Sequence, residues 1–339
     1  MGAQDEPSGT AGAGFEIDMF READADGVGR LFRSVYGEAY PMRYFYDPAE
    51  LIERTRSGRT HLGVARTTSG EILGQLALFR IAPYPGVYEA GAGLVLLAHR
   101  GGGINRALVE FVYEPSRLAA LGVQHLYGEA VCNHLHMQKA HLRSGWCETG
   151  LAIDLMPAAA YDAERSAAGR VSSVLLARAC TPQPHTVHVP RCYARELEFI
   201  YAGLDDRREL AFDDGTEAEG ATAFTVEIFE FAGVARVHVS HIGRDFAEVV
   251  TRWLSGPEAA RCTVHQFWLC LGAEGVERAA RALQGHGAFL GGVAPRWFDT
   301  DALLLQRLTA APNWDGIQLY SERAKEMLRL ERADAERQR

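Results

Sequence analysis

Alternating apolar and polar positions along the chain predict an ordered series of short strands and amphipathic helices. Residues 15–20 alternate like a strand, and residues 21–37 place apolar side chains at helical spacing. A second helix, residues 48–58, follows an aromatic segment. Apolar runs separated by turn-forming residues then predict a three-strand meander; the runs are residues 60–67, 71–82 and 87–98.

A run of three glycines lies between the last of these strands and the next helix. Glycine costs backbone entropy, about 0.5–1 kcal/mol per residue relative to alanine, so Gly101, Gly102 and Gly103 require an offsetting gain. The helix that they open is predicted over residues 103–121. Beyond it the pattern predicts a strand, a helix and two strands; these are residues 122–132, 133–145, 146–157 and 170–180.

A proline-bearing break at residues 181–185 separates this half from a second half with a similar order of elements. That half is predicted to hold a helix, a hairpin, a helix, a strand, a helix and two strands. A repeat of this size predicts a duplicated domain. We expect a disordered tail, two domains and a charged helix end that frays into solvent; their bounds are 1–14, 15–180, 181–330 and 331–339.

Composition narrows the function classes. At 339 residues the chain is long for a single hydrophobic core. Its net charge of −9 argues against a nucleic-acid partner, because binding nucleic acid usually requires a basic protein surface. Apolar runs stay shorter than the roughly 18 residues of a membrane span, and the start of the chain lacks a signal-peptide pattern. The six cysteines form no C-x-x-C pair. We therefore expect a cytoplasmic protein with reduced thiols and no structural metal.

The glycine run fits a site for an anion. Glycine amides can approach oxygen atoms closely, and a helix N-terminus adds partial positive charge. The P-loop pattern is absent, and G-x-G-x-x-G fails because Arg106 stands where its last glycine is required. The pattern R-x-x-G-x-[GA] fits at Arg100 and Gly103, with Asn105 in place of the small final residue.

The chain resembles the GNAT superfamily of acyl-CoA-dependent N-acyltransferases over residues 15–180. The segment AHRGGGINRAL is similar to the family's diphosphate-binding loop, and AVCNHLHMQKAHLRSGW is similar to its later Asn, helix and Gly-aromatic segment. The predicted order of elements is also that of the family. The resemblance implies an α/β (α+β) fold with two GNAT-like domains, each a mixed, mostly antiparallel twisted sheet flanked by helices.

The same resemblance implies acetyl-CoA or another acyl-CoA as co-substrate. An amine attacks the thioester carbonyl directly, which requires a base for the ammonium proton and an acid for the departing thiolate. The acceptor is expected to be a small-molecule amine, and the oligomeric state stays open. The residues expected to bind the coenzyme lie mainly on the strand end and the loop; they are Leu94, Val95, Arg100, Gly101, Gly102, Gly103, Ile104, Asn105, Arg106 and Asn133.

Three side chains are candidates for proton transfer. Glu89 and Glu129 are alternative bases. For each, the other interpretation is a carboxylate at a strand edge that has hydrogen-bond partners and no catalytic role. His141 stands where the family commonly has the tyrosine that protonates the thiolate. It is either that acid or a polar residue on a solvated helix face. His134 and His136 suggest a metal only weakly, since no carboxylate or cysteine lies at ligand spacing.

The acceptor pocket and the acyl donor each allow more than one interpretation. The aromatic residues Tyr40, Tyr44, Phe45 and Tyr46 are expected either to line an acceptor pocket or to pack in the core. The second half lacks the glycine loop, so the N-terminal copy is expected to be the active one. A non-catalytic acyl-CoA sensor and an enzyme with a carrier-protein or aminoacyl-tRNA donor also fit the sequence.

Overall fold

The computed structural model describes residues 11–12, 14–38, 40–158, 169–204, 206–217 and 219–338. The chain divides into two compact units. The first holds the residues up to Ile81 together with Tyr88–Gln124, and the second holds Ala82–Val87 and the chain from His125 on. The predicted domain boundary at residue 180 stays a prediction, and residues 1–10 of the predicted tail lie outside the described residues.

The first unit is an antiparallel sheet in the strand order β1-β2-β3-β4-β5 with four α-helices among its described residues. Its strands are β1 (Ala11–Gly12), β2 (Phe15–Met19), β3 (Thr60–Arg66), β4 (Ile72–Phe79) and β5 (Val87–Val95). Its helices are α1 (Ala25–Tyr36), α2 (Pro48–Arg56), α3 (Ile104–Val112) and α4 (Pro115–Ala120). Helix α1 buries Val28, Leu31 and Phe32 on one face, which the helical spacing predicts.

The single helix predicted over residues 103–121 is wrong, because two helices occupy this stretch. Pro115 has no amide hydrogen and disfavours helical backbone at the residue before it, so α3 ends before it and α4 starts at it. The Glu114 side chain then caps α4 by accepting hydrogen bonds from the amides of Ser116 and Arg117.

The second unit contains a larger sheet in the strand order β6-β8-β7-β14-β15-β13-β12-β11. These strands are β6 (His125–Val131), β7 (Cys147–Met156), β8 (Val171–Ala179), β11 (Ala223–Phe229), β12 (Val234–His241), β13 (Val264–Cys270), β14 (Phe289–Ala294) and β15 (Ala302–Leu308). The pair β12–β13 is parallel, and the remaining neighbours in this order are antiparallel. A separate parallel pair, β9 (His185–Pro190) and β10 (Arg208–Asp213), is not predicted by the sequence pattern.

Six α-helices accompany these strands among the described residues. They are α5 (His136–Arg143), α6 (Ala194–Tyr201), α7 (Phe246–Leu254), α8 (Pro257–Ala260), α9 (Val276–Gln284) and α10 (Glu322–Arg337). The order helix, helix, strand, helix, strand, strand occurs twice along the chain, as α3-α4-β6-α5-β7-β8 and as α7-α8-β13-α9-β14-β15. The predicted repeat of elements, the β11–β12 hairpin and the mixed, mostly antiparallel fold class are confirmed.

Strands β7 and β14 of the second unit meet at a single residue pair, Gly150 with Gly292. Both glycines have positive φ angles, +157° and +111°, and a Cβ at either would collide with the backbone of the opposite strand. Around this residue pair, side chains replace the backbone hydrogen bonds that are missing between β7 and β14. The Gln306 side chain accepts from the Ile153 amide at 2.8 Å and donates to the Leu151 carbonyl at 2.9 Å.

Helix α10 supplies two buried carboxyl groups where β7 and β14 meet. Glu331 accepts a hydrogen bond from the Leu151 amide at 2.9 Å, and Asp334 accepts from the Leu290 amide at 2.7 Å. The expected fraying of the charged C-terminal end is therefore wrong for residues 331–337, which continue the helix. The charged pattern hides this role because Glu331 and Asp334 look like solvated residues in sequence.

The buried carboxyl of Glu331 predicts a pH-dependent stability. Burial raises its pKa well above the ordinary value, so the native state retains a proton that the unfolded state releases. Above the ordinary glutamate pKa of about 4.3, the free energy of unfolding therefore falls as pH rises, by at most about 1.4 kcal/mol per pH unit. Glu331→Gln removes this slope, which urea unfolding between pH 5 and 8 measures.

The matched control is Glu336→Gln, an exposed carboxylate on the same helix, which is expected to keep the wild-type slope. An identical pH dependence in wild type and Glu331→Gln would show that Glu331 is not protonated in the folded chain.

None of the helices that the structure describes is long and apolar enough to cross a lipid bilayer.

Candidate functional site

Strand β5 contains a bulge close to its end. Gln75 of β4 pairs with Leu94 and Ala77 pairs with Gly91, so β5 has one residue more than its partner over this interval. Ala92 in the bulge has a φ of +51°, and its carbonyl accepts a hydrogen bond from the Gln75 side chain. Such a bulge bends the strand and re-aims the residues beside it.

The glycine run follows the end of β5 within a few residues. After a short 3-10 turn at Leu97–His99, Gly101 and Gly103 adopt φ angles of +83° and +82°. Such angles are costly for residues with a Cβ, which explains two of the three glycines. A Cβ at Gly101 or Gly103 would meet no atom within 4 Å, so both lie beside open space, whereas a Cβ at Gly102 would lie 3.3 Å from the His99 carbonyl oxygen.

Helix α3 begins immediately after Gly103, and no side chain of the described residues caps it. The first amides of an α-helix have no partner inside the helix, so the amides from Gly103 to Arg106 suit an anion. Arg100 is fixed beside them by a hydrogen bond from its Nε to the Val95 carbonyl at 3.2 Å. The side chains of Asn105 and Arg106 are exposed, and Arg106 pairs with Glu110 at 2.7 Å.

The aromatic segment before α2 packs mainly in the core. Tyr44, Phe45 and Tyr46 are at most 9% exposed, and Phe45 stacks on Phe32 with ring centroids 4.2 Å apart. The packing interpretation thus applies to these three residues. Tyr40 is half-buried, and its amide donates a hydrogen bond to the Tyr46 hydroxyl at 3.0 Å.

Glu89 lies on β5 before the bulge, close to two of these tyrosines. Burial raises the pKa of Tyr44 to about 12, and the charges of Glu89 and Glu50 add to this rise. The pKa of Tyr40 is raised well above its ordinary value by burial first, with contributions from the Tyr36 and Glu89 charges. Glu89 itself is half-buried and lies on the strand that leads to the glycine loop.

Glu129, the alternative base, lies in the second unit, and one of its carboxylate oxygens has hydrogen-bond partners. Its Oε1 accepts hydrogen bonds from the Tyr127 hydroxyl at 2.8 Å and from Arg236 at 2.6 Å. Arg236 belongs to β12, which is more than 100 residues along the chain, and nothing in the local sequence indicates this pair. Glu129 is therefore held in place by two donors, whereas Glu89 lies on the strand that leads to the glycine loop and is the candidate base beside it.

His141 of α5 is buried, so the solvated-face interpretation is wrong. Its side chain packs edge-on against Trp146, and its Nδ1 lies 2.8 Å from the Met137 carbonyl, to which only a protonated nitrogen can donate. Burial lowers the pKa of the imidazole. At neutral pH the ring is therefore neutral with its proton on Nδ1, and Nε2 has no proton to give to a thiolate.

This geometry predicts that His141→Phe mainly affects stability. Losing the hydrogen bond to the Met137 carbonyl is expected to cost about 0.5–1.5 kcal/mol of unfolding free energy in urea titrations. The value of kcat is expected to change far less than the 10²–10⁴-fold typical of a lost general acid. A hundred-fold fall in kcat without loss of stability would restore His141 as the acid.

The remaining predicted residues of the second unit have structural contacts. The Asn133 side chain is buried, and its backbone carbonyl accepts a hydrogen bond from the Gln318 side chain at 3.1 Å. The His134 and His136 rings lie 5.4 Å apart. Within the described ranges, no group of three or more His, Cys, Asp or Glu side chains is arranged to hold a metal ion.

At the corresponding strand-to-helix segment of the C-terminal half, two amides have partners in their own chain, and a cavity lined by Gly243, Arg244 and Phe246 lies beside them. The Gly243 amide donates to the Thr222 hydroxyl at 3.1 Å, and the Arg244 amide donates to the Gly220 carbonyl at 3.2 Å. A Cβ at Gly243 would collide with the backbone of residues 221–222, whereas Gly103 lies beside open space. The Gly243 and Arg244 amides are therefore less available to an anion than the amides that follow the glycine run.

Searches against protein-family models and characterised proteins find no match. Several solved structures resemble about half of this chain. A ribosomal-protein-S5-alanine acetyltransferase from Vibrio fischeri is 13% identical over 51% of this chain and 97% of its own, with a TM-score of 0.40. The spermidine/spermine N-acetyltransferase SpeG from Vibrio cholerae is 13% identical over 49% of this chain and 93% of its own, with a TM-score of 0.39.

An aminoglycoside 6'-N-acetyltransferase solved with coenzyme A is 16% identical over 50% of this chain and 99% of its own, with a TM-score of 0.35. These three structures are described as acetyltransferases, and a further match is described as an acetyltransferase of the GNAT family from Staphylococcus aureus. This is the class that the sequence resembles. At such identities and TM-scores the likeness assigns no activity to this chain.

The bulge in β5 is the site feature that the sequence analysis missed. A signal for it exists, because Gly91 and Gly93 flank Ala92 inside the strand. A Cβ at Gly91 would lie 3.2 Å from the Phe79 ring, so close packing also requires this glycine.

Proposed function

We propose that the chain is an N-acyltransferase that moves an acetyl or other short acyl group from coenzyme A to an amine. One observation carries this proposal most strongly. A bulged strand ends in a loop whose two positive-φ glycines face open space at the start of an uncapped helix. This arrangement suits a diphosphate, because backbone amides and the helix N-terminus supply several donors without an opposing Cβ.

The residues that would hold the coenzyme belong to the first unit. The amides of the loop and of the first turn of α3 would bind the diphosphate, with Arg100 adding a positive charge. The backbone at Leu94 and Val95 stays the proposed contact to the acyl group. Both residues are buried, which suits the apolar part of the coenzyme better than its phosphates.

Glu89 is the proposed base. The amine nitrogen attacks the thioester carbon, so a C–N bond forms and the C–S bond breaks. The proton released by the attacking nitrogen goes to the Glu89 carboxylate. The leaving group is the thiolate of coenzyme A, which takes a proton from water. His141 is buried, and its single ring proton lies on Nδ1, so water is the proposed proton source instead of the imidazole.

Thiol release in the presence of acetyl-CoA tests this function. The panel of amines includes spermidine, an aminoglycoside and ribosomal protein S5, since the names of the solved structures mention these compounds. Longer acyl-CoA donors and acylated carrier protein are compared in parallel. Amine-dependent thiol release above the rate of hydrolysis supports the proposal.

The second candidate is an acyl-CoA sensor without turnover. The observation that favours it is that His141, which stands where the family commonly has its acid, is buried with its Nδ1 proton held by the Met137 carbonyl. Saturable binding of acetyl-CoA with no amine-dependent thiol release across the panel would select the sensor. Binding and turnover together would exclude it.

A further inference from the structure

Strand β11 lies at one end of the sheet in the second unit and has a neighbouring strand on one side only. It pairs with β12 over Ala223–Phe229, and no other strand in the described part of the chain pairs with it. An edge strand presents a row of backbone amides and carbonyls to a further strand, and proteins commonly block such an edge with lysine, proline or a bulge. Residues 224–229 contain neither lysine nor proline, and the one register shift of the pair lies before them.

Exposed phenylalanine side chains are concentrated at this edge. Phe224, Phe229 and Phe231 are 38%, 37% and 52% exposed. They account for three of the eight large apolar side chains that are exposed among the described residues, and all three lie within eight positions of the chain. Phe224 is on the face that carries α7, where it lines an apolar groove with Val249 and Trp253. Exposed apolar residues grouped in this way are typical of an interaction surface.

The N-terminal half shows which kind of neighbour this position takes. In both halves a hairpin precedes the first helix of the repeated series, β4–β5 before α3 and β11–β12 before α7. The counterpart of β11 is therefore β4, which is buried along its whole length and pairs antiparallel with β3 over seven residue pairs. Among the described residues no strand takes the place of β3 beside β11, since the preceding strand, β10, pairs with β9.

The sequence of β11 is complementary to itself in one antiparallel register. Two copies of a strand related by a two-fold axis pair antiparallel, and opposite residues then lie on the same face of the sheet. Val226 is the middle residue of β11, so an axis at Val226 pairs all seven residues. Phe224 then lies opposite Ile228 of the second copy, and Thr225 lies opposite its Glu227. An axis at Glu227 would instead place two carboxyl groups side by side, which is unfavourable.

We propose that β11 pairs with β11 of a second copy of this chain, in the register centred on Val226, to form a homodimer. A second copy supplies what this edge lacks, namely an antiparallel strand of equal length. It also brings an apolar side chain opposite Phe224 and a polar one opposite Glu227. The inference is independent of the proposed acyl transfer, and it assigns the C-terminal half a partner.

Sedimentation velocity of the full-length protein over a concentration series tests the pairing. Wild type is expected to dimerise. Val226→Lys places two lysines side by side at the axis, so this variant is expected to stay monomeric throughout the series. Circular dichroism and thermal unfolding report whether its fold is kept. A monomeric wild type would overturn the proposal and leave the edge to a strand of another protein, and a folded Val226→Lys that dimerises like wild type would also overturn it.

The exposed residue Thr225 provides a milder test that also reports the register. Thr225→Glu places a carboxyl group opposite Glu227 of the second copy at two symmetric positions, and it is expected to raise the dimer Kd about 2–30-fold. Thr225→Lys is expected not to raise the Kd. Combining Thr225→Glu with Glu227→Lys is expected to return the Kd towards the wild-type value. Equal weakening by Thr225→Glu and Thr225→Lys would overturn the proposed pairing.

The matched control is Thr181→Glu, which introduces the same side chain at an exposed threonine of the second unit outside β11. It is expected to dimerise like wild type. A loss of dimer as large as that of Thr225→Glu would overturn the proposal, because the net charge of the chain and not the β11 edge would then control association.

Discussion

Gly103→Asp is expected to abolish the binding of coenzyme A by the full chain while the fold survives. Gly103 has a φ of +82°, where aspartate is tolerated better than most residues, and no atom lies within 4 Å of its new Cβ. The substitution therefore places a carboxylate beside the proposed diphosphate site without a steric clash. Isothermal calorimetry measures the affinity, and circular dichroism and thermal unfolding report on the fold.

Two variants separate charge from backbone strain. Gly103→Asn has nearly the same shape without the charge, and it is expected to retain much more affinity than Gly103→Asp. Gly70→Asp introduces a carboxylate at another positive-φ glycine of the first unit that also faces open space, and it is expected to bind like wild type. Undiminished affinity in a folded Gly103→Asp would remove the loop from the site.

Glu89→Gln is expected to lower kcat about 10²–10⁴-fold, the range typical of a lost general base. Gln keeps the size of the side chain but does not accept the proton of the attacking amine. The dissociation constant of acetyl-CoA should be almost unchanged, because the base acts on the acceptor and not on the coenzyme. Steady-state thiol release gives kcat, and calorimetry gives the dissociation constant.

Glu71→Gln changes an exposed glutamate immediately before the neighbouring strand β4; it is the control and should behave as wild type. A loss below about tenfold in Glu89→Gln would assign the proton to another group or to water. An equal loss in acetyl-CoA affinity would indicate a disturbed strand β5 instead of a missing base.

Features with a local cause are predictable from the sequence. The open loop and the start of α3 follow from the glycine run, because only glycine adopts the required φ angles at low cost. The meander, the β11–β12 hairpin and the repeated order of elements follow from apolar runs and turn residues. The two-helix split at Pro115 also has a local signal, which the helical periodicity around it hides.

Features that depend on distant contacts are not predictable in this way. Glu129 looks like a free carboxylate until β12 brings Arg236 to it, and His141 looks solvent-facing until Trp146 packs on its ring. The charged pattern of α10 likewise gives no sign that Glu331 and Asp334 are buried at the seam between β7 and β14. Each of these depends on which strands become neighbours in the fold.

The loop after β5 is the proposed binding site of the coenzyme. Amide hydrogen exchange of the full chain with and without coenzyme A tests it most directly, because it reports where binding protects the backbone. We predict slowed exchange at residues 101–107 in wild type and no such change in Gly103→Asp. Unchanged exchange at these residues under saturating coenzyme A, or protection confined to residues 242–250 of the C-terminal half, would contradict the account.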